Sequence, residues 1–554
     1  MQRSGSASDA VSSRPAPTWS ALALLLCIAV GVARILGTYQ VFSETYDEGV
    51  HIAAGMELLD KGTFTYEPKH PPLSRVAVAL GPYLSGIRSQ GVPNIWGEGR
   101  AIIHAENADR TLFLARLGVL PFFALAAWLV WFWTRRLSGD QEAVVAALLF
   151  TTAPIVLAHS SVATTDIGLT AALLAVLVAT IRWLDAPTTA RSVWLGAAGA
   201  AALTAKLSSV AYFGLAVVLV VGVRLWWRPA SGAVATETRG VVPVLSRWLS
   251  VTPLHLRRLL VVLPVAFACV WSLYRFQVGR LRGVPFPLTS LIQGVRDLAN
   301  HNDLGHASFL LGKAYFDGNA LFFPVGIAVK TPLTLLVLGV VGVVLLGRRA
   351  WRGRDWQLAV PLLAAAAVLA VSVPARINIG VRHVLPLFAI LAMTGGMAAV
   401  FLWQRYAGSL ARGALVGLSA AGLWSSLAIH PDYLAYFNEL GGRHPERILV
   451  DSDLDWGQDL RRLRDTLKAR GIDRVTTAYF GSAVPEMYGI PVSQKWKRGD
   501  EVHGWFVVSQ TLRQRGDALL RNRKWTLYQD AFSWLDAYEP EARIGKSLLL
   551  YRVP

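Results

Sequence analysis

Three acidic residues stand out in this sequence because they border long apolar runs. Asp47 and Glu48 are adjacent and follow the first apolar run, and Asp166 begins a later run. A carboxylate can act as a general base toward a hydroxyl or an amine. An acid at the end of a membrane helix is costly unless it faces a cavity or a partner, so Asp166 is a functional candidate, with helix capping as its alternative role.

Basic residues in the same regions supply the opposite charge. Lys206 lies between two short apolar runs, Arg376 and Arg382 precede a later run, and Lys69 lies in a proline-rich stretch. Arginine can bind a phosphate through two parallel hydrogen bonds, and lysine acts as a point charge. A site with both signs suits attack by an acceptor on a group whose phosphate departs, because the cations stabilise the charge that develops.

Long apolar runs must position these residues. Hydrophobic residues make up 53% of the 554 residues and charged residues only 16%, against about 25% charged residues in soluble domains. A bilayer core needs about 20 apolar residues per helix. About eleven runs fit, at 19–38, 112–134, 141–159, 164–184, 192–206, 208–227, 258–275, 328–347, 357–373, 383–403 and 409–428. The sequence therefore predicts an all-α polytopic membrane bundle.

Basic residues also predict the orientation of this bundle. Arginines cluster in alternate loops, which the positive-inside rule places in the cytoplasm. The net charge of +18 is explained by this topology, so no nucleic-acid partner is expected. We expect a cytoplasmic tail over 1–18, a transmembrane module over 19–428 with outer segments 39–111 and 276–327, and an extracytoplasmic domain over 429–554.

The last segment is much less apolar and alternates two kinds of pattern. Strand-like runs cover 448–450, 474–479, 505–509 and 547–553, and a helical pattern covers 459–470. This alternation predicts a small α/β domain at the C-terminal end.

Alternating acids form a motif near the start of this domain. An EF-hand loop beginning at Asp451 needs Gly at its sixth position and Glu at its twelfth, but this chain has Trp456 and Arg462 there. The calcium hypothesis therefore fails. Asp453, Asp455 and Trp456 are candidates for an acceptor groove in which the indole stacks on a sugar, and a strand-to-helix cap is the alternative.

Other polar residues of the outer segments receive structural interpretations. His301, Asp303 and His306 are metal-ligand types, but an ordinary loop is favoured and no metal site is assigned. Residues 288–298 have the pattern of an interfacial helix. Lys330 is expected to extend toward the headgroups of the bilayer.

The first outer segment has a pattern of its own. Residues 47–60 have helical spacing and are expected to lie along the membrane interface. The double proline at 71–72 predicts a break in helix that places Lys69 and His70 rigidly near the membrane surface.

These motifs resemble the GT-C superfamily of polyprenyl-phosphate-sugar glycosyltransferases, in particular bacterial relatives of protein O-mannosyltransferases and of the lipid A aminoarabinose transferase. The pair Asp47-Glu48 looks like the acidic pair of the first outer loop in that family, whose Asp is the proposed catalytic base. Asp166 matches the second acidic position of the family. Lys206 resembles its Thr-Lys motif, although Ala205 separates the lysine from the threonine here.

Two further motifs carry the same resemblance. Lys-His-Pro-Pro-Leu at 69–73 is similar to the Lys/His-Pro-Pro-Leu motif between the juxtamembrane helices of the family. Arg-His-Val-Leu-Pro at 382–386 looks like the basic-Leu-Pro motif before a later span. The resemblance therefore adds His70 and His383 as substrate-binding candidates.

The resemblance implies a glycosyltransferase of the bacterial inner membrane with its active site and C-terminal domain on the extracytoplasmic side. Its donor would be a polyprenyl-monophosphate sugar, and its acceptor a protein, a lipid or a glycan. The branch implies no cofactor, although some members of the superfamily need a divalent metal. The phosphate would bind Lys69, Lys206, Arg376 and Arg382, and the chemistry would use Asp47, Asp166 and Glu48.

Three other functions are considered. A metal-dependent oligosaccharyltransferase or ligase would use a diphosphate donor. A transporter of lipid-linked sugars would need polar residues near mid-membrane, and these spans are largely free of them. A membrane scaffold that binds a partner through its C-terminal domain would need neither Asp47 nor Asp166.

Overall fold

A computed structural model of the protein describes residues 18–227, 253–521 and 524–554. Apart from Thr18, the N-terminal tail predicted over 1–18 lies outside these residues, as does part of the arginine-containing loop after residue 227. The helices are α1 (Thr18–Leu36), α2 (Glu48–Met56), α3 (Pro72–Leu84), α4 (Ile95–Ile103), α5 (Ala108–Leu117), α6 (Leu120–Leu137), α7 (Asp140–Thr152), α8 (Pro154–Ser160), α9 (Asp166–Asp185), α10 (Thr189–Ala205), α11 (Ser208–Trp226), α12 (Pro253–Leu273), α13 (Thr289–Leu304), α14 (Phe322–Lys330), α15 (Leu333–Gly353), α16 (Trp356–Ser372), α17 (Pro386–Arg405), α18 (Ser409–Ala428), α19 (Leu460–Ala469) and α20 (Gln510–Arg515).

The predicted membrane bundle is confirmed, and each of the eleven apolar runs overlaps a helix or a bent helix pair. By length and composition, seven helices of the described part of the chain can cross a membrane, or eight if the bent pair α7–α8 is one span. The count of eleven crossings is therefore not confirmed. The chain is a multi-pass membrane protein.

The bend between α7 and α8 directs the chain into the loop that leads to Asp166. The two helices meet at 61° because Pro154 begins α8 and a proline cannot continue the preceding helix. The chain then forms a buried loop over 161–165 and enters α9 at Asp166.

The first outer segment forms the helices predicted for it. α2 continues into a π-helical turn, Glu57–Lys61, which matches the pattern predicted over 47–60. α3 begins at Pro72, so the double proline starts a helix rather than only excluding one. The two helices pack closely at Gly55, where a Cβ would lie 2.0 Å from the Arg75 carbonyl oxygen.

The second outer segment places α13 between two hairpins. Strands β1 (Val278–Leu281) and β2 (Val284–Pro287) precede the helix, and β3 (Ser308–Leu310) and β4 (Lys313–Tyr315) follow it. The predicted interfacial helix at 288–298 is therefore confirmed as a helix.

The C-terminal region contains a five-stranded mixed sheet. Its strands are β5 (Val475–Ala478), β6 (Val492–Lys495), β7 (Gly504–Ser509), β10 (Ala542–Ile544) and β11 (Leu548–Val553), in the order β10-β11-β7-β5-β6. β5 runs parallel to β6 and β7, and the other pairs are antiparallel. A separate hairpin joins β8 (Asp517–Arg521) and β9 (Lys524–Tyr528). The predicted α/β region is confirmed.

One predicted strand, 448–450, is wrong. This stretch connects two 3-10 turns, Pro445–Arg447 and Asp451–Asp453, and Asp451 has a positive φ of 59° that ends any extended run. Leu449 is buried in the core of the helical bundle, so the apolar character of this stretch reflects packing rather than sheet pairing.

A buried ion pair fixes the first outer segment to the bundle. Arg116 donates to both carboxylate oxygens of Glu48, from Nε and Nη2, each at 2.8 Å. The Thr45 and Ala163 backbone N–H groups donate to the same carboxylate. Burial alone would raise the pKa of Glu48, but Arg116 and these N–H groups hold it below its usual value.

Glu44, four residues earlier, has the opposite environment. Its side chain is buried, and neither carboxylate oxygen accepts a hydrogen bond from a described residue. Burial and the nearby Glu48 raise the pKa of Glu44 to about 8. Glu44 therefore holds a proton near neutral pH, while Glu48 is ionised.

We expect Glu48→Gln to destabilise the protein by about 3–5 kcal/mol, because it leaves the Arg116 guanidinium buried without its counter-ion. The matched control is Asp185→Asn, which removes the partly exposed pair with Arg136 and should cost less than about 1 kcal/mol. The thermal midpoint of the purified protein measures both. Equal losses would contradict the assignment of Glu48 as an anchor.

We expect a second effect at Glu44 that depends on pH. The unfolded carboxyl ionises near its ordinary value of 4.5, and the folded one near 8, so this residue makes stability fall as pH rises through that window. Glu44→Gln should remove on the order of 2–4 kcal/mol of this loss in the free energy of unfolding between pH 4.5 and 8. The thermal midpoint between pH 4.5 and 8 is compared with that of Glu106→Gln, an exposed control. A wild-type slope in the Glu44 variant would refute the assignment.

Candidate active site

Four charged side chains of alternating sign meet at one place. Arg382 Nη1 donates to Asp47 Oδ2 at 2.8 Å and lies 3.7 Å from Asp166 Oδ2. Lys206 Nζ donates to Asp166 Oδ1 at 2.6 Å. We call this set the charge network. It unites two predicted acids with two predicted phosphate-binding cations.

Distant parts of the chain supply the members of the charge network. Asp47 immediately precedes α2, Asp166 begins α9, and Lys206 joins α10 to α11. Arg382 lies in the 3-10 turn Val381–Val384 that leads into α17. The sequence places these residues at the same ends of their spans, and the fold brings their side chains into contact.

Residues from the C-terminal side shape the turn that carries Arg382. Asp453 accepts a hydrogen bond from the Val381 N–H at 3.1 Å, and Ser452 Oγ donates to the Ile379 carbonyl. Gly380 has a φ of +136°, and a Cβ there would lie 2.0 Å from Ser452 Oγ. The turn therefore requires glycine at this position.

Arg382 has one guanidinium nitrogen without a hydrogen-bond partner among the described residues. Nη1 makes both carboxylate contacts, whereas Nε is buried without a hydrogen-bond partner. The Trp456 ring lies against the guanidinium, 4.3 Å from Cζ. Burial opposes the charged form, but Asp47, Asp166 and Asp451 raise the pKa of Arg382 above its usual value. The Nε edge is thus a fixed, charged donor.

Several other buried polar atoms near the charge network have no hydrogen-bond partner among the described residues. They are Asp166 Oδ2, His70 Nδ1, both ring nitrogens of His159, Ser160 Oγ and Thr164 Oγ1. Buried polar groups are almost always hydrogen-bonded, so this concentration is typical of a place that receives a polar ligand or water. Sequence reasoning missed His159, whose signal was an imidazole inside an apolar run.

Lys69 and His70 form an adjoining cluster. Lys69 Nζ lies 2.8 Å from Glu67, which also pairs with the buried Arg75. The His70 and His51 rings meet edge to face at 5.4 Å. Burial, Arg75, His51 and Lys206 hold the pKa of His70 well below its usual value. His70 is therefore a neutral side chain close to several cations.

His383 borders the charge network without joining it by a hydrogen bond. Burial and the neighbouring Lys206 and Arg382 cations hold the pKa of its imidazole well below its usual value. Its carbonyl oxygen accepts from Tyr212 Oη at 3.1 Å.

Arg376 is not brought into the charge network. Its side chain is 41% exposed and pairs with Asp317, and its Nη1 donates to the Asp303 carbonyl at 2.7 Å. Arg376 therefore fixes the second outer segment rather than facing the acids.

The alternating-acid motif packs against the charge network through Trp456. Asp453, Asp455 and Trp456 are all buried. Asp455 accepts from the Thr511 and Gly457 N–H groups, and burial raises its pKa to about 7. Trp456 packs between Arg382 and His159, so its indole supports the site from below and is not presented to a groove.

Lys330 is not at the membrane surface as predicted. It is fully buried, and Nζ donates to the Leu434 carbonyl at 2.8 Å and the Asp453 carbonyl at 2.5 Å. The Phe437 ring lies 4.4 Å from the same nitrogen. These carbonyl acceptors replace the solvent that a snorkelling lysine would seek.

In the described part of the chain, no group of three or more His, Cys, Asp or Glu side chains is placed to hold a metal ion. His301 Nε2 and His306 Nδ1 lie 3.2 Å apart, and His306 contacts the Trp525 ring. This histidine pair packs against the β8–β9 hairpin.

Known proteins of similar fold include two whose solved structures overlap much of this chain. ArnT of Cupriavidus metallidurans, bound to undecaprenyl phosphate, aligns over 97% of this chain and 98% of its own, with 15% identity and a TM-score of 0.48. The oligosaccharyltransferase of Archaeoglobus fulgidus aligns over 76% of this chain, with 14% identity and a TM-score of 0.47. This chain spans 56% of the length of that archaeal protein.

A third structure, the Pmt1-Pmt2 protein O-mannosyltransferase complex of S. cerevisiae, covers 51% of this chain and 36% of its own, at 18% identity and a TM-score of 0.37. Similarities at these levels carry no inference about activity. No curated protein sequence matches the chain significantly.

One family does match by sequence. Residues 108–238 match the family described as dolichyl-phosphate-mannose-protein mannosyltransferase. The matched part includes α5 to α11, and so it contains Arg116, Asp166 and Lys206. Residues 108–238 therefore carry the sequence pattern of that mannosyltransferase family, which confirms the predicted resemblance to GT-C polyprenyl-phosphate-sugar glycosyltransferases.

Proposed function

We propose that this protein is a membrane glycosyltransferase that moves a sugar from a polyprenyl-monophosphate donor to an acceptor hydroxyl or amine. The charge network is the observation that carries this proposal. It holds a partly exposed carboxylate, Asp47, together with an arginine whose Nε has no hydrogen-bond partner among the described residues and a lysine. These are the groups that proton removal from an acceptor and stabilisation of a departing phosphate require.

Asp47 is the proposed general base. Its side chain is 25% exposed, and Oδ1 accepts no hydrogen bond from the described residues, whereas Oδ2 is held by Arg382. Oδ1 takes the acceptor proton as the acceptor attacks the anomeric carbon. The bond from that carbon to the phosphate oxygen breaks, and its electrons leave with the polyprenyl phosphate.

Arg382 and Lys206 are the proposed phosphate ligands. Arg382 Nε is a charged donor without a partner among the described residues, and an arginine can bind phosphate oxygens through two parallel hydrogen bonds. Lys206 has three donors, and one of them is used by Asp166. Asp166 is fully buried between the two cations. It therefore acts as a positioning residue that keeps both charges in place before the donor arrives.

The other candidates have supporting roles in this proposal. The Glu48 carboxylate accepts hydrogen bonds from Arg116 and from the Thr45 and Ala163 N–H groups. Glu48 therefore anchors the segment that carries Asp47. Lys69 and His70 contact the donor from the adjoining cluster. His383 faces the same space between Lys206 and Arg382.

The location follows from the ends of the spans. Arg136 lies at the end of α6 and Arg182 at the end of α9, whereas Asp166 begins α9. By the positive-inside rule, this arrangement supports an extracytoplasmic position for the charge network. In this proposal the membrane is a bacterial inner membrane, the transmembrane module covers 19–428, and the segment 429–554 lies on the same side as the site.

A diphosphate donor is the closest alternative within the transferases. The family match favours a monophosphate, because the matching family is described by a dolichyl-phosphate-mannose donor. Sugar transport would use the phosphate-binding cations but needs no general base, and a purely structural role needs neither, so both leave the partly exposed Asp47 without a use.

We expect Asp47→Asn to lower kcat by about 10²–10⁴-fold, because the amide cannot accept the acceptor proton. The measurement is transfer of radiolabelled sugar from polyprenyl-phosphate donors by the purified protein in liposomes. Asp60→Asn is the matched control, since Asp60 lies on the same outer segment and its carboxylate pairs with Arg88 and accepts from the Ser89 N–H, away from the charge network.

A kcat within about threefold of wild type for Asp47→Asn would eliminate this base, on the scale expected for general-base catalysis. The same assay with a chelator separates the two donor classes. Transfer from a monophosphate donor should persist, and activity that requires both a diphosphate donor and a free divalent metal would favour the alternative.

Arg382→Lys should weaken binding of undecaprenyl phosphate by about 10–100-fold, because an ammonium cannot reproduce the bidentate edge of the guanidinium. The comparison is Arg376→Lys, which makes the same chemical change at an arginine outside the charge network. Binding is measured by titration of the purified protein with the lipid phosphate. An equal or larger effect at Arg376 would show that the phosphate lies elsewhere.

A further inference from the structure

A large cleft separates the first outer segment from the C-terminal sheet. Its volume is about 830 Å³, which lies in the range of about 300–1,000 Å³ found for ligand sites. Tyr46, Trp96 and Arg100 line one side, and residues of the C-terminal segment line the other. None of these lining residues belongs to a helix of the described chain that is long and apolar enough to cross a membrane.

The cleft reaches the residue that precedes the proposed base. Tyr46 lines it and directly precedes Asp47. The Tyr46 backbone N–H donates to the Trp456 carbonyl at 2.9 Å, and its ring stacks on Phe480 with centroids 5.1 Å apart. A ligand held against Tyr46 therefore contacts the residue that directly precedes the proposed base.

The lining is strongly cationic. Arg100, Lys495, Lys497 and Arg498 line the cleft, and Asp517 is its one acid. Lys495 is paired with Glu486 at 2.9 Å. The side chains of Lys497 and Arg498 have no acidic partner among the described residues, and the Arg498 guanidinium lies 3.7 Å from the Tyr528 ring centroid. Two cations are thus available to a ligand.

Aromatic rings form the walls between these charges. Trp96 meets Tyr46 edge to face at 5.1 Å, and Trp496 packs on Phe532 at 4.4 Å. Trp496 Nε1 is buried without a hydrogen-bond partner in the described part of the chain. Flat rings with a polar handle can cover the apolar face of a sugar and still donate to its hydroxyl groups.

From these features we infer that the cleft is the acceptor site, and that the acceptor is an anionic oligosaccharide. Its sugar rings lie on the aromatic walls, its carboxylate or phosphate groups bind Lys497 and Arg498, and its reactive hydroxyl reaches Asp47 past Tyr46. This inference rests on the proposed transferase activity. The excess of unpaired cations disfavours a neutral glycan, and a lining without residues of the candidate spanning helices disfavours a lipid-embedded acceptor.

Calorimetric titration of the full-length protein in detergent tests the inference. The probes are oligogalacturonate, phosphorylated maltohexaose, neutral maltohexaose and an oligoglutamate peptide of equal length. Wild type should bind both anionic oligosaccharides at least about tenfold more tightly than the neutral one or the peptide. Lys497→Gln with Arg498→Gln should weaken the two anionic oligosaccharides at least about tenfold.

Lys468→Gln with Arg470→Gln is the matched control, because it removes the same charge from exposed positions at the C-terminal end of α19, outside the cleft. It should leave binding unchanged. Equal weakening by both double variants would reduce the effect to net charge and overturn the inference. Preference for the peptide, equal binding of neutral maltohexaose, or no binding of either anionic oligosaccharide would also overturn it.

Donor use is measured on the same wild-type samples as release of sugar from the polyprenyl-phosphate donors. Donor use without oligosaccharide binding would overturn the acceptor assignment alone. Oligosaccharide binding without use of any polyprenyl-phosphate donor would overturn the transferase proposal, and with it the assignment of the cleft as an acceptor site.

Discussion

The contact of Arg382 with Asp47 and Asp166 is the interaction on which the rest of the site depends. A buried ion costs several kcal/mol to desolvate unless a counter-charge and hydrogen bonds compensate it. Each member of the charge network therefore needs its neighbours, and each neighbour comes from a different part of the chain. This requirement joins the first outer segment, the start of α9, the α10–α11 junction and the turn before α17 into one unit.

The residues after the last bundle helix belong to this unit as well. Trp456 supports the Arg382 guanidinium, and Asp453 holds the turn on which that arginine lies. Tyr433, Leu449 and Trp456 pack in the core of the bundle, whereas the separate core of the α/β region begins at Leu460. Residues of the C-terminal segment thus pack against the site and support it.

The sequence was sufficient to predict the bundle and much of the charge network, because charges that interrupt apolar runs are costly and visible. Asp47, Asp166, Lys206 and Arg382 were all found in this way. The sequence alone could not show which of Asp47 and Glu48 is the proposed base, since adjacent residues differ only in where their side chains point. Only the fold shows that Arg116, within a distant helix, forms an ion pair with both carboxylate oxygens of Glu48.

Other differences have the same physical origin. Arg376 and Arg382 are six residues apart on one connection, with Gly380 at a positive φ between them. One pairs with Asp47 and the other with Asp317. The run at 448–450 is apolar because it packs on helices, and local pattern cannot distinguish that burial from a strand. A cleft between two distant segments leaves no local pattern at all. Its cations look like ordinary surface charge until the fold places them beside Tyr46, one residue from the proposed base.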